Sequence, residues 1–400
     1  MGSISRIRME GMNMRVHLRR FGAAAALTAI AVGVAAAPVS AATRPGPLPA
    51  AVDDLHELGI TGVQGFTRVD GVVSRARAGV GDLERGTPVP MDGYFRIGSN
   101  TKTYVAVVVL QLVGEGRLSL DDTVDRWLPG VVAGNGNDGR RITVRQLLQH
   151  TSGLYNYTRD MSGLFTEEGF REHRFDHWED ADLVALAMRH EPGFAPGTSW
   201  DYSNTNYILA GMVIEKVTGR PWESEVRTRI LRPLGLSETS APGDRSTLPG
   251  PHAKAYQQWQ PGAALSDVTR WNPSAASAAG AMVSTPSDIA RFWQALQDGR
   301  LLKPRQMAQM HETVLATTYQ DFIPGGRYGL GVMFIPNRCG GYWGHGGDVP
   351  GVSTVNGVTA DGDRVAVLAL NSQLAGEEAA LGVHRRTMRL VDDVLCGPGH

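Results

Sequence analysis

The chain has 400 residues, 42% of them hydrophobic and 20% charged, with a formal net charge of −1 at pH 7. Those proportions are ordinary for a globular protein. A near-zero charge, with no basic run beyond the first 41 residues, excludes the electrostatic footprint of a nucleic-acid binder. The length allows two domains or one large catalytic unit carrying an insertion.

Residues 1–41 read as a signal peptide. Arg6, Arg8, Arg15, Arg19 and Arg20 form a basic segment, residues 21–37 an apolar one, and Val39-Ser40-Ala41 a small-residue cleavage site. The apolar run is shorter than the ~20 residues of a membrane span. The expectation is a secreted, extracellular protein with no membrane anchor after processing. Two cysteines, Cys339 and Cys396, suit that compartment. An even count in an exported chain is read as one disulfide, with two buried thiols as the alternative.

Next come a short helix over 50–58 and two strands, 62–69 and 71–78, around a Val69-Asp70-Gly71 turn. Residues 95–98 lead into a helix whose first turn holds Ser99-Asn100-Thr101-Lys102 and which ends near Gly114. Residues from about 117 to 290 read as mostly helical, with segments at 142–149, 180–189, 206–217 and 287–297. Beyond Tyr328 the pattern becomes that of strands: 328–335, 342–346, 353–359 and 364–371, the last two joined by an Asp361-Gly362 turn. An amphipathic helix over 377–394 closes the chain. Strands at both ends with helices between them predict an α/β (α+β) fold, in which early and late strands share one antiparallel sheet and the helical segment is inserted. Residues 42–98 and 290–400 then supply the two parts of the α/β domain, and 99–289 a mainly helical domain.

Only four of the 39 basic residues are lysines: Lys102, Lys216, Lys254 and Lys303. Lys102 lies one helical turn from Ser99, in a helix that is apolar almost all round from Tyr104 to Val113. A buried amine can lose its proton where a guanidinium cannot. The pair is therefore a candidate nucleophile and base, provided the lysine pKa falls about three units from its usual ~10.4. The Gly-x-Ser-x-Gly elbow of α/β-hydrolases is absent from the sequence. Tyr202 and Asn204, two apart, present a phenol and an amide to one side of an extended segment. In Gly344-His345-Gly346-Gly347, at a strand end, the glycines admit another backbone alongside and the histidine can assist proton transfer. His173 and His177 are four apart, but Arg174 stands where zinc proteases carry glutamate, so no metal or other cofactor is expected.

In this order and spacing, the three motifs resemble those of the penicillin-recognising serine hydrolases. That family includes class C β-lactamases, soluble exported D-alanyl-D-alanine carboxypeptidases, D-aminopeptidases and related esterases. Its Ser-x-x-Lys, Tyr-x-Asn and Lys/His-x-Gly motifs are matched by Ser99/Lys102, Tyr202/Asn204 and His345/Gly347. Residues 142–154 (ITVRQLLQHTSGL), 195–219, 278–292 and 328–334 (YGLGVMF) are also family-like. The resemblance runs from Gly62 to Cys396. It implies a β-lactamase/transpeptidase-like fold, an antiparallel sheet flanked by helices plus an all-helical domain, with the cleft between them.

The resemblance also implies roles. Ser99 is acylated, Lys102 and Tyr202 manage its proton, Asn204 holds the substrate amide, and the strand through His345, Gly346 and Gly347 lines the cleft. The backbone N–H groups of Ser99 and Asp348 form the oxyanion hole. The cysteines fall where exported carboxypeptidases carry theirs, which supports the Cys339–Cys396 disulfide. The implied substrate is a small peptide, ester or β-lactam, and a monomer is expected. A D-alanyl-D-alanine carboxypeptidase is the first expectation. An esterase or amidase, a β-lactamase, or a penicillin-binding domain that is acylated without turnover are the alternatives.

Three departures bear on substrate choice. Gly346 lacks the usual threonine hydroxyl, Asp348 stands where carboxypeptidases tend to have threonine, and Met333-Phe334 stand where relatives carry arginine. Hydroxyls and a guanidinium bind a free carboxylate well; glycine, methionine and aspartate do not. Arg338, in a nearby loop, is the candidate replacement.

Overall fold

Early and late strands share one ten-stranded sheet in the computed structural model, which describes residues 47–397. The leader read in residues 1–41 lies outside the described residues. Helix α1 (Leu48–Glu57) carries Pro49 in its first turn and turns Leu48, Val52 and Leu55 inward, the spacing of one helical face. Strands β1 (Gly62–Val69) and β2 (Val72–Asp82) form a hairpin around Asp70-Gly71, both at positive φ. Helix α2 (Thr101–Gly114) begins the inserted segment, in which α3 (Val144–Gln149), α4 (Thr205–Thr218) and α5 (Pro286–Gln297) are the elements used below. The chain then returns to the sheet as β3 (Arg327–Tyr328), β4 (Met333–Ile335), β5 (Tyr342–Gly344), β6 (Gly347–Val349), β7 (Val352–Val358) and β8 (Arg364–Leu370). Helix α6 (Glu377–Cys396) closes it.

The central join is between β1 and β8, antiparallel from Val63 opposite Leu370 to Val69 opposite Arg364. From there the sheet runs outward through β7, β5, β4 and β3 on one side and β2 on the other, with β6 paired to β7 off that path. Why β8 is central can be read from its sequence, RVAVLAL. Val365, Val367 and Ala369 enter the core cluster that holds Phe292 and Trp293 of α5. Ala366, Leu368 and Leu370 enter the opposite cluster with α1 and α6. A strand buried on both faces needs apolar residues at both phases of its two-residue period.

Two expectations are corrected. The run 328–335 is not one strand: Gly329-Leu330-Gly331 breaks it, and the Thr103 hydroxyl on α2 donates to the Gly331 carbonyl at 2.7 Å. The segment 117–290, read as mostly helical, also holds short sheet pieces, Tyr256–Gln258 paired with Leu265–Asp267 and the bridge strand Val283–Ser284. Among the described residues no helix is long and apolar enough to cross a membrane.

Cys339 and Cys396 are joined in a disulfide, tying the end of α6 to the loop between β4 and β5. Closing a loop of 57 residues stabilises by about 4 kcal/mol in the chain-entropy model. The double variant Cys339→Ser/Cys396→Ser should therefore unfold at clearly lower urea, with kcat at low temperature unchanged because neither cysteine lines the hollows at Ser99. An unchanged urea midpoint would show that the bond adds nothing to stability.

Candidate active site

Ser99 sits in a single 3-10 turn, Gly98–Asn100, that feeds directly into α2. Two glycines bring that turn against β6. Gly98 has φ +51°, and a Cβ there would lie 3.0 Å from the Asp348 nitrogen. A Cβ on Gly347 would meet the Ile97 carbonyl at 2.1 Å and the Ser99 nitrogen at 3.0 Å. Any other residue at either position would force the two backbones apart. The backbone nitrogens of Ser99 and Asp348 are thereby held as neighbours, beside the Ser99 hydroxyl.

Lys102 follows one turn into α2 and is 0% exposed. Its Nζ lies 2.7 Å from Asn204 Oδ1, 2.7 Å from the Ala279 carbonyl and 3.1 Å from Ser99 Oγ. The first two atoms only accept hydrogen bonds. The Ala279 carbonyl is free to do so because it belongs to the short helix Ser277–Gly280, whose last carbonyls have no partner within the helix. In its neutral form the amine has two hydrogens and one lone pair; with the N–H groups on Asn204 and Ala279, that lone pair faces the Ser99 O–H. Burial pushes the amine well below its usual pKa, which favours that neutral form.

Tyr202 lies over the amine, its ring centroid 4.8 Å from Lys102 Nζ. Burial raises its phenol well above the usual pKa, neighbouring Tyr328 and Tyr319 add to the rise, and a hydrogen bond with the Ser99 hydroxyl opposes it. Asn204 starts α4 and is held from behind: its N–H and its Nδ2 both donate to Asn156 Oδ1, at 3.1 and 3.3 Å. His345 is 4% exposed. The Tyr328 hydroxyl pairs with its Nε2 at 2.9 Å, and its Nδ1 pairs with the Gly346 carbonyl at 2.7 Å. Burial, with Lys102 adding to it, lowers its pKa to about 3. With both nitrogens engaged, the neutral imidazole braces the strand end rather than standing free to carry a proton.

Two hollows meet at Ser99. One, about 170 Å³, has an apolar wall of Tyr157, Met161, Leu164, Phe165, Phe170 and Trp271, with His173, Arg174 and Asp176 also in its lining. The other, about 640 Å³, holds Tyr202, Tyr319, Met333, His345, Glu377 and His384. Ser99, Asn204 and Asp348 border both. No arginine or lysine lines the larger hollow. Arg338 is not in it: its guanidinium pairs with Asp392 at 3.0 Å and Asp393 at 2.9 Å on α6. Asp348 as a residue meets the open cleft, but its carboxyl is crowded. That desolvation raises its pKa, while the Ser353 hydroxyl (2.6 Å) and the Gln373 amide (3.4 Å) donate to Oδ1 and oppose the rise.

Ser99, Lys102, Tyr202, Asn204, His345, Gly346, Gly347 and Asp348 therefore converge on one cleft, and Arg338 does not. The carbonyl of Ala279 and the side chains of Asn156, Tyr328 and His150 complete it. Ala279 and His150 lie in stretches that already looked family-like, 278–292 and 142–154, but a backbone carbonyl and a buried ring carry no motif of their own. Asn156 had no such signal.

An antiparallel sheet with a helical insertion, and a buried Ser-x-x-Lys turn in a cleft, define a class of acylating serine hydrolases. The beta-lactamase family profile matches residues 48–387, and the chain belongs to that family. Among curated relatives, it is 26% identical over 323 residues to the putative penicillin-binding protein PbpX of Bacillus subtilis, covering 80% of this chain and 72% of the relative. It is 34% identical over 244 residues to esterase EstB of Burkholderia gladioli, covering 59% and 60%. Among solved structures, a D-stereospecific amidohydrolase from Streptomyces sp. superposes with a TM-score of 0.79 at 43% identity, covering 88% of this chain and 98% of that one. The D-amino acid amidase of Ochrobactrum anthropi SV3 does so with 0.75 at 30% identity, covering 86% and 97%. The chain is thus a serine hydrolase of the superfamily of β-lactamases, penicillin-binding proteins, esterases and D-amino acid amidases.

Proposed function

We propose that the protein hydrolyses amides, and the more reactive esters, of apolar D-amino acids through an acyl-enzyme on Ser99, with a leaving group that bears no carboxylate. The carrying observation is the larger hollow, which has Asp348 at its edge and no guanidinium or ammonium in its lining. It is the leaving-group side, because the leaving group must depart toward its proton donor, and Tyr202 lines this hollow and not the other. A D-alanyl-D-alanine carboxypeptidase needs a cation or hydroxyls there to hold the terminal carboxylate. Asp348 would instead repel it. The apolar hollow on the other side suits an aliphatic or aromatic acyl side chain. Preference for the D series is supported by the likeness to the two D-amide hydrolases. Export through the leader in residues 1–41 is part of the same proposal, supported by its basic-then-apolar pattern.

The roles follow from the two pKa directions. Two neighbouring groups pushed apart in pKa divide the acid and base work between them. The neutral Lys102 amine takes the Ser99 proton as Oγ bonds to the substrate carbonyl carbon. The oxyanion settles between the N–H groups of Ser99 and Asp348. Tyr202, protonated, gives its proton to the leaving nitrogen as the C–N bond breaks, and regains one from Lys102. Water then enters from the vacated leaving-group side and releases the acid, restoring the Ser99 hydroxyl.

A substrate panel tests this reading. D-phenylalanine amide and a p-nitrophenyl ester should be turned over, and a D-Ala-D-Ala peptide should be slower by at least about 10²-fold in kcat/KM. Asp348→Thr should narrow that gap by about tenfold or more, mainly through the KM for the peptide. Preference of the wild type for the D-Ala-D-Ala peptide would restore the carboxypeptidase assignment. A long-lived penicillin adduct with no turnover of any panel member would instead favour a binding domain.

A further inference from the structure

His150 is fully buried beside the site and has no part in the proton path above. It ends α3 in the left-handed conformation, φ 61° and ψ 33°. Its carbonyl accepts the N–H of Asp201 at 3.2 Å, and its ring Nδ1 accepts the N–H of Ser203 at 3.3 Å. One residue therefore takes the backbone donors on either side of Tyr202. Its ring also lies against the Tyr202 phenol, with centroids 4.3 Å apart.

A relay of donors fixes which nitrogen of His150 is bare. The Leu154 N–H donates to Ser152 Oγ at 3.1 Å, which directs the Ser152 hydrogen to Asn206 Oδ1 at 2.6 Å. The Asn206 amide must then present its NH₂ to His150 Nδ1, at 3.0 Å. With two donors aimed at Nδ1, the ring proton sits on Nε2. That atom is buried without a hydrogen-bond partner, and the ring is enclosed by Tyr202, Tyr207, Tyr328 and Trp200. Burial drives the imidazole pKa well down, and the titratable neighbours Lys102 and His345 push it the same way. The ring stays neutral, and its lone pair stays on the Tyr202 segment.

We propose that His150 is a positioning residue for Tyr202, its carbonyl and Nδ1 clamping the backbone on both sides of the phenol while its ring sets the plane in which the phenol lies. The inference rests on the role given to Tyr202 above. It explains why a histidine occupies a left-handed, fully enclosed position where a smaller polar residue would satisfy the helix end alone.

Kinetics of four variants on the best panel substrate test it, each variant checked for folding by thermal denaturation. His150→Phe keeps a flat ring but removes the acceptor, and kcat should fall about 10²-fold with KM within about twofold. His150→Asn restores an acceptor near the Nδ1 position and tolerates the left-handed backbone, so kcat should return to within about tenfold of wild type. Ser152→Ala leaves the ring in place but lets the Asn206 amide turn, and it should lower kcat by a smaller factor, again without moving KM. A folded His150→Phe with wild-type kcat would overturn the proposal, as would a His150→Asn variant no better than His150→Phe. Should His150→Phe not fold, Ser152→Ala decides, and an unchanged kcat there overturns the clamp. Tyr202→Phe separates the two levels. Full activity in that variant would remove the role of Tyr202 itself, whereas its loss alongside wild-type kcat in the His150 variants would remove the clamp alone.

Discussion

Ser99→Ala is expected to lower kcat on the best amide or ester by at least about 10⁴-fold while leaving KM and the melting temperature close to wild type. In the proposed mechanism the hydroxyl supplies the attacking atom, and it lies 3.1 Å from Lys102 Nζ. Stability should survive because the amine keeps its two shorter bonds, to Asn204 and the Ala279 carbonyl. The substitution removes only a hydroxyl half-open to the cleft, whose oxygen water can replace. Intact mass after a β-lactam or activated ester gives an independent readout: the wild type should gain the acyl group and the variant should not. Retention of full turnover, or an adduct on the variant, would place the nucleophile elsewhere.

What the sequence made legible divides along the range of the interactions. Strands 62–69 and 364–371 announced themselves through local pattern, whereas the burial of the RVAVLAL strand on both faces emerged only with the fold. The Ser99–Lys102 pair was legible because an i, i+3 relation on a helix is local and because lysine is scarce against 35 arginines. Gly331 was misread as strand interior because its reason for being there is α2, more than two hundred residues earlier in the chain. Arg338 lay beyond sequence reading for a similar cause. Its partners Asp392 and Asp393 are brought close by the folding of α6 and by the Cys339–Cys396 bond next to them. The proposed division of labour between Lys102 and Tyr202 also needed three dimensions, since it depends on which atoms around Nζ can donate. Asp348 was suspected of repelling a carboxylate from its position alone. The fold adds that no arginine or lysine elsewhere in the lining compensates for it.

Replacing Lys102 carries the second large effect, and it separates the base role from simple charge. Lys102→Arg keeps a cation and Lys102→Met keeps approximate length without one. Both should lose about 10³-fold or more in acylation rate, because neither offers a basic lone pair to the Ser99 O–H. In the wild type, kcat/KM should fall on the acid side as the amine becomes protonated, with no descending limb below about pH 10 from Tyr202, whose phenol is held protonated. Stability carries the same information with a definite sign. The folded pKa of Lys102 lies below the 10.5 of the free amine, so unfolding takes up a proton at every pH between the two. The contribution of this residue to stability therefore rises with pH through that window, by up to about 1.4 kcal/mol per unit, and levels off above the unfolded value. Lys102→Met abolishes that slope. Its unfolding free energy minus that of the wild type, measured in urea between pH 7 and 10, should fall steadily as pH rises, even though the Met side chain leaves Asn204 and Ala279 without a donor at every pH. A difference that stays flat across that range would mean that Lys102 is charged in the folded protein, and the amine could not then serve as the base for Ser99.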